Sequence, residues 1–81
     1  MHESVFAQQI VQTVLAEATR RRAASVRSVD VEIGALDAIS EETLREAFAI
    51  EAAGTPLEHT QLNVRTHEGR GLVVRKASFV A

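Results

Sequence analysis

The spacing of the hydrophobic residues changes along the chain. Between positions 4 and 23, Phe6, Ile10, Val14 and Leu15 recur at i, i+4, i+8 and i+9, and Val11 and Ala18 widen the stripe. That spacing predicts an α-helix with one apolar side. Ser4 stands where an N-cap would, Glu3 suits the positive helix end, and Arg20, Arg21 and Arg22 complement the negative end. From Ser25 to Ile33 the period falls to two. Val29, Val31 and Ile33 alternate with Ser28, Asp30 and Glu32, which predicts a strand with one buried and one wet face, ended by Gly34.

A second helix is predicted over 40–53. Ser40 is its N-cap, Glu41 and Glu42 fill the first turn, and Leu44, Ala47 and Phe48 share a face with Glu51 beside them. Gly54 follows as the C-terminal cap, and Pro56 prevents continuation. The last third alternates again. Leu62 and Val64 face inward over 61–66, and a further strand is predicted over 72–80. Its inward set starts as Leu72 and Val74 but ends as Ala77 and Phe79. The phase slips by one residue, which predicts a bulge near Arg75 and Lys76. "HEGRG" at 67–71 supplies two glycines to the connection.

The expected fold class is α+β, a two-layer α/β arrangement in the order α-β-α-β-β. A mixed three-stranded sheet would carry both helices on one face. A strand–helix–strand crossover joining parallel strands should be right-handed, and the last two strands are expected to form an antiparallel hairpin with its turn near 66–71. The opposite sheet face would present Asp30, Glu32, Asn63 and Arg65 to water or to a partner.

Composition narrows the function. Eighty-one residues make one domain, 1–81, with a small core and no room for a deep internal active site. The net charge of −2 gives no bulk attraction to nucleic acid or to an anionic membrane surface, and the arginine triplet reads as a solvated helix end. Cysteine is absent, which excludes disulfides, thiolate zinc sites and a cysteine nucleophile. No signal peptide and no membrane-spanning apolar run is read, so the expected location is cytoplasmic. No phosphate-binding glycine loop and no paired nucleophile and base point to an enzyme.

The chemistry concentrates in "MHE". The α-amine of Met1, the amide nitrogen of His2 once deprotonated, and the Nδ1 of His2 close a five- and a six-membered ring in one plane. Planar nitrogen donors suit Ni(II) and Cu(II). Glu3, a neighbouring amide or a water would complete the set. A deprotonated amide and a carboxylate bring the divalent ion close to neutrality, which matters beside a positive helix end. A bulky second residue also protects Met1 from removal by methionine aminopeptidase. The bland reading is an ordinary helix start. His59 and His67 read as solvated polar residues.

"MHE" at the start, "VDVEIGALDAI" at 29–39, "EETLREAFAI" at 41–50 and "GTPLEHTQLNV" at 54–64 together resemble the HypA/HybF family of nickel metallochaperones. The likeness covers 1–66 and resumes over about 71–81. It implies a non-catalytic nickel-binding domain that holds Ni(II) transiently at Met1, His2 and Glu3. It also implies docking with a nickel-handling GTPase and with the large subunit of a nickel enzyme such as [NiFe]-hydrogenase, or delivery to urease. The family inserts a zinc lobe with two CxxC pairs between its last two strands. Here "THEGRG" takes that place, so no zinc is expected. The alternative function is a metal-independent adaptor, or a homodimer joined through a sheet edge or the open face.

Overall fold

The structure is a computed structural model describing residues 2–81. Its elements are α1 (Glu3–Arg21), β1 (Ser25–Gly34), a 3₁₀ turn (Ala35–Asp37), α2 (Glu41–Ala52), β2 (Gln61–His67) and β3 (Val73–Val80). The order α-β-α-β-β and the mixed three-stranded sheet are as expected.

Strand order is β2-β1-β3. β2 runs parallel to β1, with Val29 opposite Leu62 and Val31 opposite Val64. β3 runs antiparallel to β1 on its other side. The expected hairpin between the last two strands, with a turn near 66–71, is therefore wrong. β2 and β3 are the two edges of the sheet, and residues 68–72 cross over the end of β1 to join them. Two strand spacings are about 10 Å, within reach of five residues at about 3.3 Å each. The physical reason lies in β1. Val26, Val29, Val31 and Ile33 are each no more than 3% exposed, so the most apolar strand takes the centre and is hydrogen-bonded on both sides.

The bulge is where the phase slip put it. Asp30 pairs with Lys76 and Val31 with Val74, so Arg75 is the extra residue on β3. A second irregularity, not anticipated, makes Arg27 extra on β1 between Val26 and Ser28.

The core lies between the sheet and the helices. Phe6, Ile10, Leu44, Leu57, Val29 and Val31 are its largest fully buried side chains. Phe6, Ile10, Val11, Val14 and Ala18 come from the expected stripe of α1, joined by Ala7. Leu57 was not singled out by periodicity, because it lies outside any helix or strand. The connection after α2 is stitched to β1 by Val26 N–H donating to Pro56 O at 3.0 Å and by the Thr60 hydroxyl donating to Val26 O at 2.7 Å. Those two bonds turn Leu57 inward.

The helix ends differ in quality. Ser40 Oγ accepts from Thr43 N–H at 3.1 Å, an ordinary N-cap for α2. Replacing Ser40 with alanine should lower unfolding free energy by about 1 kcal/mol, read as a shift of the urea midpoint at constant m. The cap of α1 departs from expectation. Ser4 lies inside the helix, and His2 occupies the N-cap with extended backbone (φ −82°, ψ 146°) and no side-chain capping bond. Glu3 can therefore serve as the first helical residue, its carboxylate suiting the positive end. At the other end Arg22 caps in a left-handed conformation, φ 55°.

Candidate metal centre at the amino-terminal end

Two observations orient α1 on the sheet. The Arg21 guanidinium lies 4.6 Å from the centroid of the Phe79 ring, and Thr13, Val14 and Glu17 line a groove with Val74, Arg75 and Lys76. The helix thus runs beside β3. Thr13 already lies beside the first residues of β3, so the ten helical residues before it, rising about 15 Å, carry the start of α1 past the Val73 end of β3. That is also the end where β1 finishes at Gly34 and where the crossover loop passes. The 3₁₀ turn and residues 67–71 are joined at that end, and the start of α1 is directed toward it.

Of the expected ligands, Met1 lies outside the described residues. His2 is exposed and Glu3 half-buried, adjacent at the helix start. Val5 N–H donates to His2 O at 3.1 Å. The helix thus uses the carbonyl of His2, whereas the chelate would use its amide nitrogen and imidazole, so the two demands fall on different atoms. Among the described residues, no group of three His, Asp or Glu side chains converges as a preformed metal site. A metal held here would rest on main-chain nitrogen as well as side chains.

The crossover loop is more tightly built than its composition suggested. Leu36 N–H donates to Gly69 O at 2.9 Å, and Gly71 N–H donates to an Asp37 carboxylate oxygen at 2.7 Å. His67, read from the sequence as a solvated residue, is half-buried, with Nδ1 2.7 Å from Glu68 O and Nε2 2.8 Å from Gly71 O. These two main-chain carbonyls hold its pKa above the ordinary imidazole value, with Glu32 adding to the effect, against burial and Arg75. The only advance signal was a histidine before a glycine-bracketed loop, which does not tell one partner from another. His59, by contrast, is 93% exposed.

The open sheet face holds a depression of about 450 Å³ lined by Asp30, Val31, Glu32, Asn63, Arg65 and Arg75. Several of its polar groups are already matched. Arg75 donates to both carboxylate oxygens of Glu32 at 3.1 Å, and Asn63 donates to Asp30 at 2.8 Å. The guanidinium holds the Glu32 carboxyl below the usual range. This face reads as a satisfied polar surface. Among the described residues, no helix is long and apolar enough to cross a membrane.

The family model described as "Hydrogenase/urease nickel incorporation, metallochaperone, hypA" matches residues 1–72. Hydrogenase maturation factor HypA of Crocosphaera subtropica is 44% identical over 71 residues, covering 88% of this chain and 60% of that protein. HypA of Archaeoglobus fulgidus is 38% identical over 64 residues, covering 79% and 58%. The chain spans between 49% and 63% of the length of these and two further HypA relatives. The solution structure of the Ni metallochaperone HypA from Helicobacter pylori superposes with a TM-score of 0.77 at 12% identity, over 100% of this chain and 99% of that one, a likeness of fold. The family description names a metallochaperone and no enzyme activity, and with its model covering most of the sequence, this chain belongs to the HypA family.

Proposed function

We propose that this chain handles nickel for the maturation of a nickel enzyme, binding Ni(II) at its amino terminus and passing it on. The observation that carries the reading is the start of α1. An exposed histidine occupies the N-cap without spending its side chain on the helix, and a carboxylate follows it. With Met1 bearing a free α-amine, the amine, the His2 amide nitrogen and the His2 Nδ1 supply three donors in a plane. Glu3 is the fourth ligand or the group that positions it. The ion is cargo: an open site at an exposed helix start exchanges metal more readily than a closed cage.

[NiFe]-hydrogenase is the recipient favoured by the family and by the names of the relatives, with urease the second choice from the family description. A nickel-handling GTPase and the recipient's large subunit are the partners. The chain has no cysteine, so it offers zinc no thiolate.

The test is a nickel titration of untagged protein near neutral pH. About one Ni(II) per chain is expected, with a proton released as the amide nitrogen binds and a d–d absorption band of square-planar nickel. Protein that stays metal-free with its fold intact overturns this reading and favours a metal-independent adaptor or homodimer.

A further inference from the structure

His67 faces two acceptors. Its ring nitrogens stand 2.7 Å from Glu68 O and 2.8 Å from Gly71 O, and a carbonyl oxygen can only accept. Both contacts are hydrogen bonds only when both nitrogens carry protons. In either neutral tautomer one ring lone pair points at a carbonyl lone pair across less than 3 Å. The geometry therefore discriminates between protonation states, whereas a surface histidine accommodates either.

The two contacts close residues 67–71 into a ring. Within it Gly69 and Gly71 have φ of 99° and 97°, a region that favours glycine, so the ring has a particular shape to hold. It is anchored to the 3₁₀ turn through Asp37, which accepts from Gly71 N–H, and through Leu36, whose carbonyl lies 3.4 Å from a guanidinium nitrogen of Arg70. The ring lies directly over Gly34, the last residue of β1 and the register partner of His67.

We propose that His67 is a proton-operated latch on the crossover loop: as imidazolium it clamps the carbonyls of Glu68 and Gly71 and holds 67–71 against the 3₁₀ turn, and loss of one proton releases the clamp. The charged groups around it come from every neighbouring strand. Glu32 on β1 favours the protonated ring and Arg75 on β3 opposes it. Those two are paired with each other, so their net push is small. Arg65 lies on the same strand as His67, Glu68 and Arg70 are in the loop, and Asp37 reaches it through Gly71. The main-chain carbonyls thus dominate the preference.

The sign follows from the raised pKa. The clamp contributes fully below the unfolded-state value near 6.5 and is lost as pH rises through the higher folded-state value. Mild acid tightens this end of the domain and mild alkali loosens it. The start of α1 is directed toward the same end of the domain, but the latch itself needs no metal.

The experiment uses the metal-free full chain. Histidine ring shifts are followed by NMR from pH 5 to 9, together with amide exchange of Gly69, Arg70 and Gly71 corrected for intrinsic pH dependence. His67 should titrate above 6.5. Loop protection should fall on the order of tenfold across that titration, the scale of one charge-assisted hydrogen bond. His67→Gln, with one donor and one acceptor end, should show low protection and no pH step. Asp37→Asn should lower protection at every pH while leaving the His67 step in place. A His67 midpoint at or below 6.5, or wild-type loop protection that ignores pH, overturns the proposal without touching the nickel reading.

Discussion

Changing His2 to alanine should abolish nickel binding and leave the fold as it is. Losing the imidazole removes one of three planar donors and opens the six-membered ring. Partners that only orient a metal ligand typically account for 10–100-fold in affinity, so removing a ligand should cost at least about 100-fold. The fold should not notice. The His2 side chain is exposed and caps nothing, and the Val5 N–H bond to the residue 2 carbonyl survives the change. A surface substitution of this kind falls within about 0.5 kcal/mol. Adding one residue ahead of Met1 should be nearly as damaging to binding, because the amine leaves the five-membered ring while the imidazole stays. Isothermal titration with Ni(II) on both variants, beside thermal unfolding of the metal-free proteins, checks the pair. Unchanged affinity in either variant would place the nickel elsewhere.

Changing Gly34 to alanine should destabilise the domain by about 1–3 kcal/mol, the usual range for atoms forced into a filled space. A Cβ there would sit 2.5 Å from Arg70 Cα, 2.6 Å from Gly69 O and 2.7 Å from an Asp37 carboxylate oxygen. The first two are main-chain atoms and cannot swing aside. The cost is steric and not conformational, because Gly34 has φ −73° and ψ 132°, which any residue adopts. Relief requires lifting the crossover loop, and with it the bond from Leu36 N–H to Gly69 O. In a domain of this size each kcal/mol lowers Tm by roughly 4–8 °C. A Gly34→Ala protein that melts within a degree or two of the parent would mean that the loop does not close over β1.

Much of this architecture was readable in advance, and the reasons are local. The helical stripe from Phe6 to Ala18, the alternation of Val29, Val31 and Ile33, and the Ser40 cap are patterns that neighbouring residues impose on each other. Even the bulge at Arg75 was visible, because one added residue reverses which side chains face the core. Strand order was not visible. A short glycine-containing link suits a hairpin and a crossing equally, and the choice falls to the strand that most needs two neighbours, which is β1. The start of α1 was misplaced by two residues, since Ser4 is a good cap by type but His2 holds the position by main-chain geometry. Of the candidate metal site, the donor types were legible in the sequence, and among the described residues no cluster of side chains adds to them. His67 was passed over because its partners are carbonyl oxygens, which every residue has.

Placing β1 between two strands that come later in the chain has a consequence for synthesis. β1 emerges from the ribosome after α1, yet both of its hydrogen-bonding flanks wait for residues 61–67 and 73–80. Until then a ten-residue valine-rich strand is a template open on both sides. The nascent polypeptide is therefore at its most adhesive before residues 61–80 appear, and slow translation or truncation within that stretch should favour aggregation over a loosened native state.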